Sequence, residues 1–468
     1  MKRYIFILVY VLTIVSCTSE KTVKGDWYGT RFGAPMSVQF SDSIMDIHIE
    51  ASSNMSMIAD YVISNADADT FHIDLSGSGI MLAQGIGIYE SPESLTLAFT
   101  FGGMGQLKRP KSVEEAQSNL AGMVLKLSRN KQNAVSVVDQ EVKAPKEAQL
   151  AFERNRRLGH GINLNNVVDG NSHEGNPADQ PFTEKDAKRI ADAGFNSVRL
   201  PVCWVKHALP RAPYTIDPSF FAKVDSIVDL CLKNGLAISL DVHYYPQINM
   251  HQPDSILSFE ENMERLPILW AQIAEHFKER PVEVYFDLLN EPNPIMDNDT
   301  YNGLMAKVIK TVRVTNPNRT LIVGTPALGQ HWTIGELRLP KDDWNIIVQT
   351  HYYLPHTFTH QGLSYAPGAE KEGVAWLGSE KEKLAIATDF DYLARWSQLQ
   401  HRPVNVGEFG VVETADHESK VRYMGYLSEI ITNRNMSYHI WGYREVFHIN
   451  NPTTGEFDPD IIKALKNE

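Results

Sequence analysis

Two rhythms of apolar and polar positions divide the chain. From about Lys24 to Arg129, short stretches such as MSVQF, IMDIHIE, TFHIDLSG, LTLAFTF and MVLKLSR largely alternate apolar with polar residues, and Gly, Ser, Asn and Asp separate them. A period of two turns one face of a strand inward and the other to water, so this region is predicted to be a small all-β sandwich or barrel. From about residue 151 the pattern changes to compact apolar runs separated by helical stretches, the βα alternation that builds a parallel sheet. The expected organisation is a leader over residues 1–17, a β domain over 18–135, a polar linker over 136–150 and an α/β domain over 151–468.

The second region holds eight strand candidates: GHGINL (159–164), NSVRLP (196–201), LAISLDVH (236–243), EVYFDLLN (283–290), TLIVGT (320–325), IIVQTH (346–351), PVNVGE (403–408) and SYHIWGY (437–443). Eight such units predict a closed (β/α)8 TIM barrel. Helical stretches between them carry their own stops: TEKDAKRIADAG opens on Thr183 as a cap and ends at Gly194, and FAKVDSIVDLCLKNG ends at Gly235. In such a barrel the chemistry sits at the C-terminal strand ends. Those ends read Asn163, Arg199, His243, Asn290 with Glu291, Thr325, His351, Glu408 and Trp441, largely polar groups capable of catalysis, against strand interiors of Ile, Val and Leu.

The stretch FDLLNEP (286–292) delivers Asn290 and Glu291 at the end of an apolar run, and VNVGEFG does the same for Glu408. Burying a carboxylate is costly without a partner, so a pair of them at facing strand ends points to work done on a ligand. Glycosidic cleavage needs such a pair: one donates a proton to the leaving oxygen, and the other attacks the anomeric carbon or activates water. A gap of about 5 to 5.5 Å between them means retention through a glycosyl-enzyme, and a wider one means inversion. Arg199 and Tyr353 are expected to hold Glu408 as the nucleophile, leaving Glu291 as acid/base.

Composition narrows the partners. The 468 residues carry a net charge of −13, which argues against nucleic acid or an anionic membrane surface and suits a neutral substrate. The N-terminal MKRYIFILVYVLTIVSC has Lys2 and Arg3 before an apolar run from Tyr4 to Val15 that is too short to span a bilayer, so it reads as a secretory signal. Its Ile14-Val15-Ser16-Cys17 resembles the bacterial lipobox, which implies lipid attachment at Cys17 and a bacterial outer-membrane lipoprotein, at the cell surface or in the periplasm. Cys203 and Cys231 lie in apolar contexts and read as free buried thiols. GDWYG and LKLSR resemble the early Trp and late Arg of lipocalin-like barrels, with Trp27 a core plug.

VRLPVCW, DVHYY, LLNEP, HYYLPHTFTHQG, VGEFG and the Trp of HIWGY resemble, in order and spacing, the motifs of glycoside hydrolase family 5, the cellulase-type retaining barrels, over residues 159 to 464. The resemblance implies Glu291 as acid/base, Glu408 as nucleophile, Arg199 orienting the nucleophile and Asn290 bonding the sugar 2-hydroxyl. It also implies His243, His351 and Tyr353 lining the cleaving subsite and Trp441 stacking under the sugar. Asn166 and Trp376 are further candidates for substrate contact, and Asp169, His207 and Trp204 occupy plausible subsite positions. Two departures bear on specificity: Tyr244 follows His243 where many relatives have a second histidine, and Asn165-Asn166 stands where they read Gly-Asn. The expected activity is a retaining endo-β-1,4-glycanase on β-glucan-type polysaccharide, with endo-β-mannanase, xyloglucanase and mixed-linkage glucanase as alternatives. A monomer with neither cofactor nor metal is expected.

Two other classes compete. A metal-dependent barrel hydrolase is suggested by Asp241 and His243 alternating on one strand, with His351 and His360 elsewhere, but the first strand supplies Asn163 where such sites use paired histidines. A non-catalytic glycan-binding lipoprotein would be expected to lack one of Glu291, Glu408 and Arg199, all of which are present.

Overall fold

The computed structural model of the chain describes residues 21–31, 34–49, 56–67, 69–77, 80–101, 108–117, 122–131, 142–168, 170, 181–366, 368–451 and 453–467. Cys17 and Asp169 lie outside them.

The alternating region is a closed antiparallel barrel of eight strands, β1 (Gly25–Arg31), β2 (Ala34–Phe40), β3 (Ile44–Ile49), β4 (Ser56–Ser64), β5 (Thr70–Gly77), β6 (Ile80–Ser91), β7 (Ser94–Phe101) and β8 (Gly122–Ser128). Each strand pairs with the next, and β1 closes on β8 at Tyr28 and Ser128. Side chains fill the inside: Trp27, Val38, Ile73, Leu75, Leu95 and Leu97 are fully buried. Trp27 is the plug, its Nε1 donating to Val23 O at 2.6 Å and the Arg129 guanidinium lying 3.9 Å over its ring. β6 is hard to read as a strand because glycines interrupt it. Gly87 is needed there: a Cβ would stand 2.1 Å from the Phe71 ring, so the aromatic takes the space the glycine leaves.

The second region is a closed parallel barrel: β9 (His160–Asn163), β10 (Ser197–Val202), β11 (Ala237–Val242), β12 (Val284–Asp287), β13 (Leu321–Gly324), β14 (Ile346–His351), β15 (Val404–Phe409) and β16 (Ser437–Ile440), joined in that order with β16 closing on β9. All eight predicted strands are present, within three residues at each end. The helix Glu184–Asp192 starts from a Thr183 capping box with Asp186, and the helix Pro218–Lys233 is capped by Asp217. Gly194 and Gly235 follow these helices at φ 94° and 77°, the left-handed conformation that ends a helix and that glycine adopts without strain. Cys203 and Cys231 are buried thiols outside any disulfide among the described residues. A helix Ala148–Leu158 leads into the barrel from within the polar segment.

One expectation about the barrel is corrected. Its strands are not apolar throughout: Ser197, Arg199, Ser239, Asp241, Asp287, Gln349, Asn405, Ser437 and His439 are all buried within them. A barrel strand presents alternate side chains to the helices and to the barrel interior, so the apolar half packs outward and a polar half meets inside. There Gln349 donates to Asp287 (2.9 Å) and Asn405 (3.3 Å), Asn405 to Ser437 (2.6 Å), and Ser437 to Asn155 (2.7 Å). Gly407 makes room for this chain, since a Cβ would lie 2.3 Å from Gln349 Cδ.

Candidate active site

Glu408, near the end of β15, accepts from Arg199 Nη1 on Oε1 (2.8 Å) and from the Tyr353 hydroxyl on Oε2 (3.0 Å). Glu291 follows β12 in the loop that holds Asn290. Its φ is +29°, a strained value for a non-glycine residue, worth on the order of 1–3 kcal/mol. The loop is held there by Asn249, whose Nδ2 donates to the carbonyls of Asn290 and Glu291. One oxygen of Glu291, one of Glu408 and a ring nitrogen of His351 all lie within 4.8 Å of one another. His351 Nδ1 is 2.8 Å from Glu291 Oε1 and 3.6 Å from Glu408 Oε2.

The two carboxyls differ in surroundings. The Glu291 side chain keeps about a third of its exposure, 34%, yet the loss of water to the cleft walls pushes its carboxyl up to about 7, against the opposing charge of Arg199. Burial pushes the His351 imidazole down to about 4, so at neutral pH the ring is uncharged and its Nδ1–H can donate to the carboxylate form of Glu291.

Beneath them, Arg199 makes four hydrogen bonds and a further ion-pair contact. Nε donates to Asp287 Oδ2 (2.8 Å), Nη1 to Asn163 Oδ1 (3.1 Å) as well as to Glu408, and Nη2 to Asn290 Oδ1 (2.9 Å), while Nη2 also lies 2.7 Å from Asp241 Oδ2. Burial opposes its charge, but Asp241, Asp287 and Glu408 together hold its pKa above the ordinary value. The guanidinium fork suits this role because its five N–H groups are fixed in a plane. With its oxygen committed to Arg199, Asn290 has its NH2 left to donate.

His243 Nδ1 is 2.6 Å from Asp241 Oδ2, and burial aided by the Arg199 charge pushes the ring down to about 3. The imidazole stacks on Trp441, centroids 5.2 Å apart and 7° from parallel, which fixes the indole plane. The loop carrying Trp441 is tied by Asn165, which donates to Arg444 O (2.6 Å) and accepts from Arg444 N (2.9 Å).

Arg199, His243, Asn290, His351, Tyr353 and Trp441 thus converge with the two glutamates. Trp376 does not fit its expected role: it is 1% exposed and packs on Tyr423 and Tyr426, so it has no face to offer a sugar. Trp204 is likewise buried, against Phe220 and Phe221, and His207 stacks on Phe220 at 3.6 Å. Asn166 lines a separate cavity of about 530 Å3 with Asp186, Glu413 and Arg444, and its carbonyl accepts from Arg444.

Asp241 meets Arg199 and His243, and the cation among Asp241, Asp287 and Glu408 is the Arg199 guanidinium. His360 packs behind Tyr353 (centroids 4.9 Å). Sequence reasoning missed Asp287, Asn249 and Gln349. The signal for Asp287 was available, an acid inside the apolar run FDLL four residues before Glu291.

Comparisons with known proteins agree with this geometry. Residues 159–445 match the family Cellulase (glycosyl hydrolase family 5). Endoglucanase H of Acetivibrio thermocellus is 30% identical over 328 residues, 68% of this chain and 33% of that protein. Cellulase/esterase CelE of the same organism is 26% identical over 340 residues, 67% of this chain and 40% of that protein. The chain therefore spans less than half the length of these two relatives. Among solved structures, Thermotoga maritima Cel5A in complex with mannotriose superposes with a TM-score of 0.63 at 32% identity, covering 67% of this chain and 99% of that one.

Proposed function

This chain belongs to glycosyl hydrolase family 5, the cellulase family, and from that premise we propose that it is a retaining endo-β-1,4-glycanase acting by double displacement on β-glucan-type polysaccharide. Glu408 attacks the anomeric carbon while Glu291 gives its proton to the leaving oxygen; Glu291, now a carboxylate, then takes a proton from the water that releases the sugar. Asn290 donates from its NH2 to the 2-hydroxyl, and Trp441 lies under the apolar C–H face of the sugar. Protonation and attack both come from carboxylates, so the reaction as written calls on no cofactor.

The observation that carries this reading is the pair of oxygens from Glu291 and Glu408 within 4.8 Å of each other, a spacing that leaves little room for the water an inverting enzyme places between its carboxylates. Their different surroundings support the division of roles: an acid with raised proton affinity, and a partner whose two oxygens are held by Arg199 and Tyr353. The presence of the whole set supports catalysis over glycan binding alone. Thermotoga maritima Cel5A is known in complex with cellobiose and with mannotriose, which supports keeping endo-β-mannanase beside endoglucanase. Xyloglucan and mixed-linkage glucan stay in the panel because the same pair could cleave them.

We further propose a secreted monomer anchored through a lipid on Cys17 at the bacterial outer membrane, on its surface or in the periplasm. The support is the leader sequence. The test incubates the leader-free protein with carboxymethylcellulose, mixed-linkage glucan, xyloglucan, glucomannan and mannan, and measures new reducing ends. Release that is absent in Glu408→Gln supports the reading, and no release from any polymer would overturn it. Incorporation of labelled palmitate, abolished by Cys17→Ala, tests the anchor.

A further inference from the structure

Three carboxylates surround one guanidinium in the buried floor of the site, and two of them are unusual. Asp241 and Asp287 are both fully buried and are register partners on the adjacent strands β11 and β12. Each crowds its donors onto one oxygen. Asp241 Oδ2 lies 2.7 Å from Arg199 Nη2 in an ion pair and 2.6 Å from His243 Nδ1; Asp287 Oδ2 receives Arg199 Nε (2.8 Å), Gln349 Nε2 (2.9 Å) and Ser239 Oγ (3.4 Å). Neither Oδ1 has a hydrogen-bond partner among the described residues. Two bare, buried anionic oxygens would each carry a full desolvation cost.

We propose that Asp241 and Asp287 share a single proton between their Oδ1 atoms at neutral pH, one as acid and donor, the other as carboxylate and acceptor. Parallel strands are about 4.8 Å apart, and both side chains reach the same guanidinium, so in-register carboxyls are within reach of each other. The shared proton removes one charge from the pair, as in carboxyl dyads elsewhere. Burial holds both carboxyls above the usual carboxylate range, with the charge of Glu291 adding to it at Asp241 and that of Asp241 at Asp287, against the pull of Arg199.

The other charged or titratable groups facing the pair are Arg199 on β10, Glu291 after β12, Glu408 on β15, the imidazoles of His243, His351 and His439, and the Tyr301 phenol, which donates to Gly324 O and stays neutral. Burial pushes all three imidazoles down, so none of them supplies a second positive charge at neutral pH. The consequence for catalysis rests on the retaining reading above. With one proton on the pair, Arg199 and the pair cancel and Glu408 holds the one net negative charge, which the oxocarbenium-like transition state meets. Once Glu408 becomes an ester, the floor is neutral. With both aspartates ionised, the glycosyl-enzyme would bury an uncompensated charge. Asp241 and Asp287 are positioning residues, acting through Arg199.

The test is infrared spectroscopy of the whole enzyme labelled with carboxyl-13C aspartate, which separates Asp from the Glu291 acid. The expected result is one protonated aspartate carboxyl at pH 7, absent from both Asp241→Asn and Asp287→Asn, because the new amide N–H satisfies the remaining carboxylate. Should either Asn variant fail to fold, Asp287→Glu decides, since it converts one partner to an unlabelled acid and must change or abolish the band. Absence of a protonated aspartate at pH 7 in the parent overturns the proposal, as does a band unchanged in folded variants. The role is read separately: Asp287→Asn should lower kcat on an activated aryl cellobioside at least about tenfold with KM unchanged, the scale of one altered charged hydrogen bond. An inactive parent that still shows the band would refute the glycanase reading and leave the shared proton standing.

Discussion

Arg199 and Glu408 meet at 2.8 Å although they come from β10 and β15, well apart around the barrel. The contact fixes one oxygen of Glu408, Tyr353 fixes the other, and the same guanidinium holds Asn290 beside Glu291. The proposed nucleophile, the loop of the proposed acid/base and the barrel floor are therefore one connected unit.

That unit makes Arg199→Lys a severe change. Lysine keeps the charge but replaces a five-donor fork by one ammonium, losing at least two charged hydrogen bonds worth about 1.5–3 kcal/mol each. kcat/KM is expected to fall at least a hundredfold, on the order of those energies, and a thermal melt should show lower stability.

In the proposed mechanism Glu291 sets the alkaline limb of the rate profile. The carboxyl must hold its proton to act, and it loses it near 7, so kcat/KM should be level below and fall as pH rises through about 7. Glu291→Gln should abolish that limb and spare kcat/KM, though not kcat, for substrates whose leaving groups need no proton, because the base for the second step is lost as well. The sign for folding is the same. Between the model-peptide value near 4.5 and about 7 the folded protein binds more protons at this group than the unfolded chain, so its contribution to stability declines as pH rises through that window.

His351→Ala removes the donor that favours the ionised form of Glu291. The alkaline limb should move to higher pH, and kcat/KM should drop about tenfold, in line with a charged hydrogen bond of about 1.5 kcal/mol. Initial rates across the pH range measure both.

Trp376→Ala separates a core residue from a sugar platform. Emptying a buried Trp site costs about 3–5 kcal/mol, read as a lower denaturation midpoint, while KM for polysaccharide stays unchanged. Trp441→Ala should do the reverse, raising KM with a smaller loss of stability.

Much of this was legible in the chain. Eight apolar runs located the strands of the catalytic barrel, and reading polar residues off their ends found Glu291, Glu408 and most of their neighbours, because a barrel brings strand termini to one rim. What sequence did not yield was the inside. Arg199 was found but read as a strand end when it lies mid-strand, and Asp287 and Gln349 are invisible to a reading that takes strand interiors as uniformly apolar. Trp376 failed for a related reason: an indole in a loop looks the same whether it faces a cleft or packs on Tyr423. The N-terminal barrel was seen in five of its strands, and β6 escaped because glycines at 85 and 87, required by Phe99 and Phe71, break the apolar alternation.

In the proposed mechanism Glu408 becomes covalently bonded to the sugar while Glu291 serves as acid and base. The most direct measurement is mass spectrometry of the protein after reaction with a 2-deoxy-2-fluoro cellobioside bearing a good leaving group, followed by peptide mapping. The account predicts one glycosyl adduct, on Glu408, and none in Glu408→Gln. Turnover of the natural polymer without any adduct, with the product released in the inverted anomeric form, would contradict it.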